Sequence, residues 1–211
     1  MFSLSEIERS EIDGRLSMWR AYGADGNGGA IVFDAGKIIP AEGRTPLMIV
    51  RVQYGDTATR KAWIDNKVSE IAALVKENTH EESDTNAIAF HAFERIKLFA
   101  LTSKHSGFAE EREWRVIYWP DQDRNNDFKK LRSYHNGAKG IEPKLKLNMH
   151  EANKITGGND KLEDYICNII LGPSRASVLN REAMKRMLEE IDLGHLVEKI
   201  KVSSIPYRNT K

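Results

Sequence analysis

Glu111, Glu113 and Arg115 stand two residues apart in "GFAEEREWRVIYWP" (107–120), where a charged stretch runs into aromatic and β-branched residues. A period of two places all three on one face of a strand. A carboxylate at a strand mouth beside a second carboxylate can hold a ribose hydroxyl or stabilise an oxocarbenium-like centre. The same spacing also describes a solvated strand start in which Arg115 pairs with a glutamate, worth about 0–1 kcal/mol at a surface. In either case the charged face is accessible at its beginning. Trp114, Val116 and Tyr118 form the apolar face that packs on the core.

A second cluster is "SMWRAYG" (17–23). Trp19 and Tyr22 lie three apart on one helix face, and Arg20 points elsewhere. One reading makes Trp19 a core anchor and Arg20 a surface charge. The other lets Arg20 and Tyr22 line a polar pocket near the glycines that follow.

Other chemistries find no template. There is no P-loop lysine motif, and the glycines of "GADGNGG" (23–29) precede a strand instead of opening a helix, so they read as a turn. His80, His91, His105, His135, His150 and His195 show no two-histidine metal spacing. No serine sits in G-x-S-x-G. "GPS" (172–174) reads equally as an anion-facing helix start or as a strand-to-helix turn capped by Ser174.

The elements that must position these residues follow from hydrophobic period. "MFSLS" reads as a short first strand and "RLSMWRAYG" (15–23) as a helix stopped by Gly23. "GAIVFD" (29–34) and "LMIVRVQYG" (47–55) read as strands. Trp63, Val68, Ile71, Leu74 and Val75 fall at helical spacing over 57–78. Ile88, Phe90, Phe93, Ile96, Leu98 and Leu101 repeat the period over 86–101. With "THEESD" (79–84) as a polar turn, they predict a helical hairpin inserted around 57–103. Residues 120–140 read as loop, 141–149 as a strand, and 165–174 as a buried strand carrying Cys167. A helix over 177–194 stopped by Gly194 follows, then a strand and extended exit over 196–208. Strands and helices without strict alternation predict an α+β fold, a mixed or antiparallel sheet packed with helices, in one domain over 1–211.

Composition narrows the partners. In 211 residues, 32 basic and 31 acidic side chains give a net charge of +1. This balance argues against nucleic acid as a partner and gives no attraction to an anionic membrane. No apolar run approaches the ~20 residues of a membrane span, and the first ten residues carry no secretory signal. A single cysteine excludes a disulfide within the chain and suits a reducing cytoplasm.

Taken in order, "FSLSE", "LSMWRAYG…GNGGAIVFD", "FAEEREWRVIYW", "NIILGPS" and "SSIPYR" resemble domain of unknown function 2971, a bacterial family. Members of that family usually carry a further segment before the "FSLS" strand. The resemblance therefore implies that this chain lacks an N-terminal segment, as a truncated or a natural short form, and that it is either inactive or completed by a partner chain. The order of elements is also similar to ADP-ribosyltransferase folds. That similarity implies NAD as substrate, Glu113 as the catalytic glutamate on the nicotinamide ribose and Glu111 as the residue that orients or polarises the acceptor. Ser3 and Ser5 would support the nicotinamide site. The similarity also implies a toxin or phage-defence effector. Apart from that similarity, Trp19, Arg20, Tyr22, Arg115 and Arg208 are expected as ligand-binding residues from the residue clusters themselves. The alternative is a non-catalytic module that binds a small molecule or protein through the same residues.

Overall fold

The structure is a computed structural model and describes residues 1–37, 46–78, 82–138, 140–146, 148–156, 159, 161–174 and 177–206. In chain order, β1 (Phe2–Ser5), α1 (Leu16–Tyr22) and β2 (Gly29–Phe33) precede β3 (Leu47–Arg51) and β4 (Gln53–Gly55). The hairpin helices α2 (Thr57–Asn78) and α3 (Glu82–Thr102) come next, then β5 (Ser103–His105) and β6 (Glu113–Tyr118). They are followed by β7 (Arg132–Gly137), β8 (Gly140–Leu145), α4 (Met149–Thr156) and β9 (Ile166–Leu171), then α5 (Ser177–Glu190) and β10 (Ile200–Val202). The class is α+β, and its strands are divided among several small sheets.

Two compact units divide the chain. The first holds Met1–Glu6 and Met48–Ile117. Its sheet runs β1-β6-β3, with β1 antiparallel to β6. The stretch expected as one strand over 47–55 breaks at Val52, which is buried and whose N–H donates to the Glu113 carbonyl at 2.9 Å. Beyond the break β4 pairs in parallel with β5. Asp56 then starts α2, its carboxylate accepting from the Thr59 N–H at 2.7 Å, as an N-cap does. In the hairpin, Trp63 stacks on Phe99 with ring centroids 3.9 Å apart. Val68, Leu74, Phe90 and Phe93, which the helical period placed on the apolar faces, are more than half exposed, whereas Phe99 lay outside that period. Of the turn expected at 79–84, residues 79–81 lie outside the described residues and 82–84 already belong to α3, which starts earlier than the apolar period suggested.

The second unit holds Ile7–Leu47 and Tyr118–Lys211. β9 lies between β10, parallel to it, and β2, antiparallel to it. A parallel neighbour requires a crossover, and α5 provides it. Ile166, Ile169, Leu171, Leu188, Leu196 and Ile200 form the buried core of this β9–α5–β10 unit. Gly172 closes β9 against the 23–29 turn: its N–H donates to the Gly28 carbonyl at 2.8 Å. A Cβ at Gly172 would stand 2.4 Å from the Gly26 carbonyl oxygen.

Several expectations are corrected in this unit: the strand read over 141–149 ends at Leu145 before α4, and the one read over 196–208 is confined to Ile200–Val202. Residues 132–137, read as loop, form β7 and pair with β8 in a hairpin. The preceding polar stretch is ordered around the buried Asp123, which accepts from the Tyr118 hydroxyl and the N–H groups of Asp127 and Lys129. Polar residues that satisfy one another locally carry no hydrophobic period, so the pattern of the sequence did not reveal them. Cys167 is exposed on β9 and is not a core residue. Finally, α5 ends at Glu190 and the chain turns at Asp192, in the left-handed region (φ 60°). Gly194 instead begins a short 3-10 turn.

Candidate functional site

The register of β1 on β6 sets the site. Ser3 lies opposite Arg115 and Ser5 opposite Glu113. Ser3, Glu113 and Arg115 therefore share one face, with Ser3 diagonal to Glu113. The Ser3 hydroxyl donates to Glu113 Oε1 at 2.6 Å. Arg115, two residues along the same strand, grips the carboxylate with both arms: Nε to Oε1 and Nη2 to Oε2, each at 2.9 Å. Its Nη1 donates to the Leu101 carbonyl at the end of α3, 2.5 Å away. The Glu113 N–H in turn donates to the Tyr54 hydroxyl of β4 at 2.9 Å.

The charged face expected to be accessible is buried. Glu113 is 6% exposed, Arg115 8% and Ile117 3%. Trp114, Val116 and Tyr118, expected in the core, are half-buried. Trp114 Nε1 donates to Glu6 at 2.9 Å, and Glu6 also pairs with Arg51 at 3.6 Å. Alternation alone cannot tell which of two faces is inside when the charged one is self-neutralising.

Glu111 is not on the strand. It ends a 3-10 turn (Ser106–Glu111), and Arg112, in the left-handed conformation (φ 42°), separates it from β6. Ser5 holds this turn by donating to the Glu111 carbonyl at 2.6 Å, and the Glu6 N–H donates to the Arg112 carbonyl at 2.9 Å. The Glu111 side chain reaches Lys104, whose ammonium donates to Glu111 Oε2 and, at 3.3 Å, to Glu113 Oε2. The ring of Phe108 faces the same ammonium at 4.8 Å. Lys104 and Glu111 are 22% and 14% exposed in their side chains, so this is the more open end of the network.

The electrostatics follow from these contacts. Hydrogen bonds from Arg115 hold Glu113 far below the usual carboxylate range, from 4.5 to about 2, with Ser3 and Lys104 adding to the effect against the cost of burial. Arg115 is raised in return, chiefly by Glu113. Burial disfavours the charge on Lys104, but its bonds to Glu111 and Glu113 outweigh this and its pKa is raised. At neutral pH the centre is thus an ionised carboxylate between two cations, with a second carboxylate on one of them.

Of the residues singled out in sequence, Ser3, Ser5, Glu111, Glu113 and Arg115 come together. Ser5 acts through the backbone of the turn. Trp19, Arg20 and Tyr22 belong to the second unit. There Trp19 is buried, its Nε1 donating to the Asp13 carbonyl at 2.9 Å, while Arg20 and Tyr22 are exposed. The core-anchor reading of Trp19 holds, and Tyr22, 65% exposed, does not share its burial. Arg208 lies outside the described residues. Lys104, Phe108 and Tyr54 escaped the sequence reading, because a lysine in a three-residue strand carries no periodic signal. Among the described residues no group of three or more His, Cys, Asp or Glu side chains could hold a metal ion, and no helix is long and apolar enough to cross a membrane.

Fold and site together define an α+β protein with a buried serine–glutamate–arginine centre opened on one side by a lysine. Residues 18–116, just under half of the chain, match the model of the family described as "Protein of unknown function (DUF2971)". The match includes Lys104, Glu111, Glu113 and Arg115 and excludes Ser3 and Ser5. Neither curated proteins nor solved structures give a match.

Proposed function

We propose that this centre binds NAD and cleaves its nicotinamide–ribose bond, transferring the ADP-ribosyl group to an acceptor. The observation that carries the reading is the 2.6 Å bond from Ser3 on β1 to the ionised Glu113 on β6, with Glu111 held beside it. In the reaction the bond between the nicotinamide nitrogen and ribose C1′ breaks, and nicotinamide leaves with the bonding pair. Glu113, charged at every working pH, accepts a ribose hydroxyl and offsets the positive charge developing at C1′. The acceptor, a side chain or water, attacks C1′ and gives its proton to Glu111. An enzyme that consumes NAD in this way suits a toxin or phage-defence effector.

A second reading is favoured by one feature: both oxygens of Glu113 are already held, by Arg115, Ser3 and Lys104. In that reading the network is the rigid floor of a non-catalytic binding module. Nicotinamide release from NAD, with calorimetric titration of NAD, separates the two. The transferase reading expects NAD binding and release that falls in Glu113→Gln and Glu111→Gln variants that still melt cooperatively. Absence of NAD binding, or release indifferent to both substitutions, overturns it.

A further inference from the structure

We propose that Lys104 is a positioning residue for this reaction, holding the Glu111 carboxylate beside that of Glu113. The inference rests on the transferase reading of the site. Arg115 and Ser3 fix Glu113 from its own strand and from β1, so its place does not depend on Lys104. Glu111 is placed differently. It stands at the end of a turn, one left-handed residue away from β6, and pairing along the sheet does not direct its side chain. Two carboxylates brought together repel unless a cation lies between them. Lys104 is that cation: one ammonium serves Glu111 Oε2 and Glu113 Oε2.

Lys104 is itself anchored on both sides. Its backbone stands opposite Tyr54 in the parallel pairing of β5 with β4, and its ammonium lies against the Phe108 ring of the same turn that ends in Glu111. The contact to Glu113 is a long one, at 3.3 Å. A ribose hydroxyl can thus take the place of Lys104 at Glu113 Oε2 while Lys104 keeps its hold on Glu111. The two carboxylates then face one substrate, one on the ribose and one on the attacking group.

The test measures nicotinamide release from NAD by the full chain. Lys104→Met should lower kcat as Glu111→Gln does, by about 100-fold for a misplaced catalytic group, with KM for NAD little changed. Lys104→Arg should restore most of the rate. The Lys104→Met/Glu111→Gln double variant should be no slower than Glu111→Gln alone, because Lys104 acts through Glu111. Losses that multiply in the double variant, or a Lys104→Met enzyme as fast as wild type, would overturn the assignment while leaving the transferase reading intact. Wild-type protein that releases no nicotinamide would instead overturn both. If Lys104→Met does not melt cooperatively, Lys104→Gln carries the same comparison.

Discussion

Ser3 and Glu113, 110 residues apart in sequence, meet at 2.6 Å across two antiparallel strands, and the hydroxyl donates to a carboxylate that Arg115 already holds on two sides. The bond ties the first strand of the chain to the only buried glutamate among the described residues.

Ser3→Ala deletes that donor and leaves the Arg115 fork in place. Hydrogen bonds to charged groups contribute about 1.5–3 kcal/mol, so the urea midpoint should fall correspondingly. Under the proposed function nicotinamide release should fall as well. An unchanged midpoint would show that the hydroxyl does not hold the carboxylate.

Acid should separate wild type from Glu113→Gln. The carboxyl titrates near 2 in the folded chain, below its ordinary 4.5. Its stabilisation is therefore fully present above pH 4.5 and is lost as the pH falls towards 2. The drop corresponds to on the order of 3 kcal/mol at neutral pH. Unfolding free energies measured in steps from pH 6 to pH 2 should converge for the two proteins. Parallel curves would contradict the assignment.

Arg115→Met strips the buried carboxylate of its main partner, and breaking a buried pair on one side costs about 3–5 kcal/mol. Adding Glu113→Gln removes the stranded charge, so the double variant should be more stable than Arg115→Met alone. Chemical denaturation of the three variants decides this; a double variant less stable than Arg115→Met would count against a mutually dependent pair.

Gly172→Ala should destabilise the second unit. The added methyl would meet the Gly26 backbone oxygen at 2.4 Å, and a backbone atom has no rotamer by which to withdraw. Overpacking of this kind costs about 1–3 kcal/mol. A melting temperature equal to wild type would mean that the 23–29 turn can move away.

Trp19→Phe keeps an aromatic ring against the core and loses the bond to the Asp13 carbonyl, a loss of about 1 kcal/mol. Trp19→Ala should cost about 3–5 kcal/mol. The exposed Arg20→Ala should stay within about 0.5 kcal/mol. Thermal melts of the three would reverse the assignment of Trp19 as anchor if Arg20→Ala proved the most harmful.

Much of the fold was legible because apolar period and turn residues agree locally. β1, α1, β2, the α2–α3 hairpin, β6 and β9 all carry such signals and formed close to where the pattern placed them, although α3 starts at Glu82, inside the expected turn. What was not legible depended on partners distant in sequence or on polar saturation. Val52 interrupts a strand because its N–H goes to Glu113, a pairing that no local window contains. β7 is a strand without an apolar stripe. The Glu113–Arg115 face reads as solvated because each residue alone is charged, yet together they are neutral enough to bury. Cys167 shows the converse, a residue type usually buried that its strand turns outward. In the site, the two glutamates were visible from their spacing, although the spacing works through a turn as well as a strand. Lys104 was not visible, since one lysine among 32 basic residues is marked only by what it touches.

Arg112 has a consequence for how such sites are recognised. Motif notation writes the residue between two glutamates as a free letter, yet here that position adopts a backbone conformation that most side chains resist. Glycine or asparagine would take it with little strain, whereas valine or isoleucine would force the turn open and send Glu111 away from Lys104. The middle letter of the pattern is therefore a filter: among chains that share both glutamates, those with a β-branched residue between them should not assemble this centre.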